Sequence, residues 1–417
     1  MRRALVAALL SPVLGVCQSV YSLEVLPSGH FEPSEKYTAI TGLHIDAHGN
    51  IAGVASKIAP ELAPEIAPEL AAEIAAGKIK TTGFLWRASA DPVRALAWGE
   101  GASASPCTPR GMDAAGNVYL YCGAGARNVL FSPESNSYRE ARTGELETLR
   151  SAGSWSAGAS IRNEEVRAMR AATNGPPQTL LPGKNHRDSS ALAVNSNGDA
   201  AGVSGILVGA IDGSGKSIVS GLAAYWPQGK EEPQLISAPP DSSWTAQVAR
   251  AVNDGGVIAG STSPSVAPMP ACPGAGSAPQ LTRAFVAVAG KDAPTAELLP
   301  SIAGDTASTI ITPTSINTIP QIVGYREMFE CAEGTPVKDR RAVRWRKENN
   351  AWIAEVIDRL PVSLTAVCFR DLVLTEANSV NENGQLTGSG TCVDQSDQHI
   401  TFAYRLTPIG PEELPLR

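Results

Sequence analysis

Apolar and polar positions alternate along this chain in short runs broken by Asn, Asp and Gly, and one arrangement of them recurs six times. Its clearest copy is Leu192-Ala193-Val194-Asn195-Ser196-Asn197-Gly198-Asp199-Ala200-Ala201-Gly202. The other copies place their Asx at Asp46, Asp113, Asn253, Asn317 and Asn381. An apolar residue stands directly before each Asx (Ile45, Met112, Val194, Val252, Ile316, Val380). Glycine follows three positions later at Gly49, Gly116, Gly198, Gly256 and Gly384, with Pro320 in the fifth copy. A second glycine comes seven positions after the Asx in every copy except the second, which has Leu120. Asx at the head of a type I turn accepts hydrogen bonds from backbone amides further along the turn, and glycine then takes the left-handed conformation. Between alternating flanks this predicts a β-hairpin closed by a turn and a bulge. Proline cannot adopt a positive φ, so the turn at Pro320 must be built differently.

An aromatic-containing strand follows each hairpin, as in Phe84-Leu85-Trp86, Ala224-Tyr225-Trp226 and Phe402-Ala403-Tyr404, and a further short strand often comes next, as in Gln234-Leu235-Ile236. A period of about 60 residues holding four strands predicts an all-β chain folded as a β-propeller of six blades. An open solenoid or a sandwich is the alternative; a closed ring protects the strand edges that either would expose. Tyr21-Ser22-Leu23-Glu24-Val25-Leu26 reads as a strand without a blade, and the last blade, ending at Phe402–Leu406, lacks one. The ring is therefore predicted to close through the N-terminal strand.

The recurring phrase resembles that of the bacterial HAF-type extracellular repeat family, in which an Asn-x-x-Gly turn is followed by an aromatic strand. The nearest matches are Ala251-Val252-Asn253 through Gly260 and Ser315-Ile316-Asn317 through Gly324, and the resemblance runs from about Leu43 to Leu406. Met112-Asp113 with Leu120, and Pro320, depart from the pattern. The resemblance implies a secreted, propeller-like repeat protein, and it supplies no catalytic residues to carry over.

The first residues change the picture of location. Arg2 and Arg3 precede an apolar run from Ala4 to Val16 that is too short to span a bilayer and suits a signal segment. Residues 1–22 are read as a signal peptide and 23–417 as one propeller domain of six repeats with an insertion over 57–80. Small residues allow cleavage after Ser19 or Ser22, while Leu14-Gly15-Val16-Cys17 offers the alternative of a lipid anchor on Cys17. No second apolar segment of spanning length follows, so no membrane span is expected. The expected location is extracellular or periplasmic. The insertion repeats Ala-Pro-Glu-(Leu/Ile), and Pro60, Pro64 and Pro68 oppose a helix there. Gly 39 and Pro 31 are high for a chain of 417 residues, which suits many turns. Lys+Arg 34 against Asp+Glu 41 leaves a net charge of −7 without a basic run, which argues against nucleic acid.

Setting Cys17 aside leaves six cysteines, the even number expected in an oxidising compartment. Cys107 and Cys122 bracket the second hairpin, Cys368 and Cys392 bracket the sixth, and Cys272 and Cys331 occupy corresponding loops of neighbouring repeats. Symmetry of the repeats suggests these three pairings as disulfides.

Candidate chemistry is sparse. His44 and His48 have metal-ligand spacing for a helix but straddle the first turn. Asn195-x-Asn197-Gly198-Asp199 and Asn381-x-Asn383-Gly384 echo a calcium loop without its ligand set. Asp212-Gly213-Ser214-Gly215-Lys216 lacks phosphate-loop spacing, and no G-x-S-x-G elbow occurs. Arg340, Arg341, Arg344 and Arg346 around Trp345 form the densest basic cluster, which an anionic ligand could use. No catalytic, cofactor or metal residue is assigned. The expected role is a non-enzymatic binding module with a glycan or cell-surface protein as partner. The alternative is a propeller-based extracellular hydrolase or lyase acting on glycans, which would need carboxylates, or a Tyr/His pair, converging on the central channel.

Overall fold

The computed structural model describes residues 20–26, 39–57, 80–88, 93–98, 105–113, 115–122, 127–140, 148–152, 154–162, 165–172, 175–211, 217–240, 244–264, 282–290, 292–302, 309–332, 335–357, 368, 370–397 and 399–409. The signal segment up to residue 19 with Cys17, nearly all of the insertion, the loop 212–216, His30 and Cys272 lie outside them.

The elements are antiparallel strands that follow one another as neighbours. Strand β1 (Val20–Leu26) is used last. Unit I is β2 (Ala39–Ile45), β3 (Ile51–Lys57), β4 (Lys80–Trp86) and β5 (Arg94–Trp98). Unit II is β6 (Ser105–Met112), β7 (Val118–Cys122), β8 (Arg127–Ser132) and β9 (Ser137–Glu140). Unit III is β10 (Thr148–Ala152), β11 (Trp155–Arg162), β12 (Glu165–Ala172) and β13 (Gln178–Leu180). Unit IV is β14 (Ser189–Val194), β15 (Ala200–Ile211), β16 (Ser217–Trp226) and β17 (Gln234–Leu235). Unit V is β18 (Trp244–Val252), β19 (Val257–Pro264), β20 (Arg283–Val288) and β21 (Glu297–Leu298). Unit VI is β22 (Thr309–Ile316), β23 (Ile322–Ala332), β24 (Thr335–Glu348) and β25 (Ala351–Val356). Unit VII takes β26 (Arg370–Val380), β27 (Leu386–Val393) and β28 (His399–Ile409) from the C-terminal part of the chain, and β1 as its fourth strand.

The first strands of the units touch in the order β2, β6, β10, β14, β18, β22, β26, and β26 touches β2, so the ring is closed. Buried apolar side chains fall into seven clusters, each at an interface between neighbouring units. Leu26 of β1 and Ala403 of β28, for example, pack with Ile40, Ile51 and Phe84 of unit I. A sheet facing neighbours on both sides must be apolar on both faces, and Ala200, Ala201, Ala223, Ala224 and Trp226, all buried along consecutive positions, meet that demand. The architecture is a β-propeller.

Its closure is as expected: β1 pairs antiparallel with β28, from Val20 opposite Ile409 to Leu26 opposite Ala403. The strand starts three residues before Leu23, and Tyr21 is buried within it. The blade count differs from the expectation. The chain forms six sheets, but units I and II are joined through β5 and β6 at Ala97–Pro106 and Trp98–Ser105 into one sheet of eight strands. Counted as four-stranded units the ring has seven members. The added one is unit III, in the stretch from Arg150 to Lys184 where the repeat is silent. Its first hairpin turns tightly between Ala152 and Trp155, without the Asx phrase.

Candidate functional site

Each copy of the phrase builds the same corner. The Asx amide bonds the backbone carbonyl four residues on, and its carbonyl accepts the glycine amide, as in Asn195 N to Asp199 O at 3.0 Å and Gly198 N to Asn195 O at 3.1 Å. The side chain also accepts the amide four residues on, and in four copies the one two residues on as well: Asn195 Oδ1 takes those of Asn197 (3.1 Å) and Asp199 (2.8 Å). Gly198 has φ of 90° and Gly256 of 71°, the left-handed conformation predicted for this position. The fifth turn is indeed built otherwise: Gln321 N reaches the carbonyl of Ile319 while Asn317 Oδ1 still accepts Gln321 N at 2.9 Å.

The Asx side chains also link the units. Asn195 Nδ2 donates to Asn253 O (2.9 Å), Asn253 Nδ2 to Asn317 O (2.8 Å), Asn317 Nδ2 to Asn381 O (3.0 Å) and Asn381 Nδ2 to Asp46 O (2.7 Å). A carboxylate has no donor, so Asp46 ends the relay. Asp46 and Asp113 instead accept Nδ2 of Asn50 (2.7 Å) and Asn117 (2.9 Å). A second set of links comes from arginines on third strands. Arg170 Nη1 donates to Gly198 O of the next unit and Arg405 Nη1 to Gly49 O, both at 2.8 Å.

The same phrase carries a bulge three residues before the Asx. In units I, II, IV, V, VI and VII the pairing with the second strand skips Leu43, Arg110, Leu192, Arg250, Thr314 and Asn378 respectively. An unpaired bulge residue is re-aimed by the local kink, and all six line one central cavity of about 700 Å³. The bulge explains the second glycine. A Cβ on Gly202 would run into the carbonyl oxygen of Ser190, and one on Gly388 into that of Glu376. Unit III has neither bulge nor Asx turn and gives the cavity Ala152.

Thr314 Oγ1 donates to Ala377 O at 2.6 Å and Asn378 Nδ2 to Gly42 O at 3.0 Å, so both tie their strand to the next. The carboxylates around the cavity are all engaged: Asp46 and Asp113 in their own turns, Asp254 with the amide and hydroxyl of Ser196, Glu382 with those of Thr318. Arg110 lies 5.3 Å from the centroid of the Tyr121 ring. Arg250 reaches Ser261 Oγ through Nε at 3.4 Å. Burial pushes its guanidinium below the usual arginine range, partly offset by the nearby Tyr325 phenol.

The arginine cluster around Trp345 is neutralised from within. Arg340 bridges Glu327 (3.0 Å) and Glu376, Arg341 meets Asp339 (2.7 Å), Arg344 meets Glu355, and Arg346 meets Glu348 and Glu355. His44 lines the cavity while His48 is largely exposed beside the turn. His186 Nδ1 contacts Ser204 Oγ at 2.8 Å, and His399 opens β28. Disulfides join Cys107 to Cys122 and Cys368 to Cys392, as the symmetry of the repeats suggested. The pairing of Cys272 with Cys331 lies outside the described residues.

No protein-family model and no curated protein matches the sequence. Among solved structures the chain is similar to the β-propeller domain of the Trilobed protease from Pyrococcus furiosus (10% identity, TM-score 0.47, 91% of this chain and 98% of that chain). It is also similar to the acylaminoacyl peptidase of Pyrococcus horikoshii (10% identity, TM-score 0.44, 90% of this chain and 53% of that chain). A third is the tricorn protease (11% identity, TM-score 0.43, 91% of this chain and 34% of that chain). The chain thus spans about half or less of the two peptidases.

Proposed function

We propose that the chain is an exported, non-enzymatic binding module of the HAF type whose ligand enters the central cavity. The observation that carries this reading is the ring of six bulged residues, which repeats in every copy of the phrase and presents Leu, Arg, Leu, Arg, Thr and Asn to one space. A cavity of about 700 Å³ lies within the range of small-molecule sites. The carboxylates around it are held in turns, so the reading does not draw on them for catalysis. Two disulfides suit an oxidising, extracellular or periplasmic compartment, in line with an N-terminal signal peptide and a single folded unit that begins with β1.

The test is thermal unfolding of the full mature chain against bacterial and plant glycans, with EDTA and calcium as further arms. A ligand bound by the folded state alone raises Tm by mass action. The expected outcome is a saturable rise with one ligand class that vanishes in Leu192→Trp, which sets a bulky ring on the cavity wall. A rise that persists in that variant would place the ligand elsewhere, on a surface suited to a cell-surface protein.

A second reading, a glycan hydrolase or lyase, is favoured by one cluster. Glu327 and Glu376 converge on Arg340, whose guanidinium sits 3.8 Å over the Tyr325 ring. Release of reducing ends from a glycan, lost in Glu376→Gln, would replace the binding reading with this one.

A further inference from the structure

Resting on the reading of the cavity as a ligand site, we propose that its ligand is a small organic anion, bearing a carboxylate or phosphate, with Arg250 as its counter-ion. Neighbouring arginines already hold partners of their own. Arg340, Arg341, Arg344 and Arg346 are matched to Glu327, Glu376, Asp339, Glu355 and Glu348. Arg170 spreads its guanidinium over Gly198 O, Pro227 O, Lys230 O and Gln178 Oε1. Arg250 differs. Among the described residues its hydrogen bond is the one from Nε to Ser261 Oγ, and no carboxylate stands within ion-pair reach.

A cation enclosed by protein is costly unless it is paired. The Arg250 guanidinium belongs to a bulge residue on the cavity wall, where a mobile anion can supply the missing charge. Its Nη donors, held in a planar fork, suit the two oxygens of a carboxylate or the oxygens of a phosphate. Arg110, from unit II on the other side of the ring, adds a second positive charge to the same wall. Leu192 stands between them on one side of the ring of bulges and Leu43 flanks Arg110 on the other, and both offer an apolar surface to the body of the ligand. The space is larger than a bare ion needs, which is why the ligand is taken to be organic.

The experiment uses the full mature chain, with citrate and inorganic phosphate as probes and maltohexaose as the neutral control, at ionic strength held constant with chloride. Calorimetry and Tm are read for the wild type, Arg250→Gln, Arg250→Lys and Leu192→Trp. The expected result is saturable binding of citrate or phosphate that falls about tenfold or more in R250Q. R250K recovers part of it, and L192W abolishes it. R250Q without anion is expected to melt no lower than wild type, which separates lost binding from lost folding. Citrate alone responding names a carboxylate, and phosphate alone a phosphate. Equal binding in R250Q, or no saturable binding of either anion, overturns the proposal. Maltohexaose binding that L192W abolishes and R250Q leaves unchanged would keep the cavity as a ligand site while removing the anion.

Discussion

The side-chain amide of Asn381 donates to the backbone carbonyl of Asp46, 2.7 Å away and 335 positions earlier in the chain. The bond is the fourth step of the relay from Asn195, and it joins unit VII, whose outer strand is β1, to unit I. The turn that ends the relay has its polarity reversed: Asp46 accepts from Asn50, whereas Asn195 donates to Asp199 and Asn381 to Gln385.

That reversal makes a swap experiment decisive. Asp46→Asn places an amide where the Asn50 amide already points, and it is expected to cost about 1–3 kcal/mol, the penalty of an unsatisfied buried group. Adding Asn50→Asp restores the Asn195–Asp199 arrangement and should recover most of the loss. Chemical denaturation of the two single variants and the double variant gives the coupling. An Asn50→Asp effect of the same size in D46N as in the wild type would mean that the pair is not coupled.

Strand β1 should be required for stability. Leu26 is fully buried against unit I, and Leu26→Ala is expected to cost about 2–5 kcal/mol. Deleting Leu23–Leu26 should lower Tm further than L26A does. Tyr21, buried with Arg344 at 5.0 Å from its ring, favours export cleavage after Ser19 over Ser22. Intact mass of the secreted protein reads the site, and a mature chain beginning at Leu23 would refute it.

Arginines of similar chemistry should differ widely in weight. Arg170→Met leaves several buried carbonyls without a donor and is expected to cost about 3 kcal/mol or more. Arg370 and Asp397 form an exposed ion pair, and Arg370→Gln should change stability by about 1 kcal/mol at most. Urea midpoints of the two variants make the comparison.

Alkaline pH should destabilise the fold through Tyr404 and Tyr225. Burial, with the Glu376 charge for Tyr404 and Asp199 for Tyr225, raises both phenols well above the ordinary tyrosine range. The unfolded chain then loses these protons first, so it binds fewer protons than the folded state above about pH 10, and stability falls as pH rises. Below about pH 10 both states keep the protons and no change is expected from this source. Tyr404→Phe, which loses the bond to Glu376 O, should start less stable and decline less steeply in Tm measured from pH 9 to 12.

Each disulfide closes a short hairpin loop, with sequence separations of 15 and 24. Removing one as a Cys107→Ala, Cys122→Ala double variant should cost about 3 kcal/mol on the chain-entropy account. Equal Tm with and without reductant would contradict it.

The Asx phrase was legible because turn chemistry restricts residue type so tightly: Gly49, Gly116, Gly198, Gly256 and Gly384 all need positive φ. From it the closed ring, the N-terminal strand's place and two cysteine pairings could be read. Unit III was not legible, since its first hairpin turns between Ala152 and Trp155 with no Asx at its head. The cavity wall was hidden for another reason. The bulge position carries Leu43, Arg110, Leu192, Arg250, Thr314 and Asn378, residues with no common chemistry, so no shared residue type marks it along the chain. The trace left in the sequence was the second glycine, which marks a backbone pressed close but names no ligand.

The relay leaves a seam. It runs from unit IV to unit I, Asp46 ends it, and unit III has no Asx with which to resume it. The apolar cluster between units II and III, Tyr119, Leu130, Met169 and Ala171, is also the smallest of the seven among the described residues. A ring with one weak joint opens there rather than at its covalent break. Native-state hydrogen exchange should therefore find β10 and β6 deprotecting ahead of β1 and β28, in excursions well short of global unfolding. The chain ends, usually the first part of a protein to fray, would then be the last to let go.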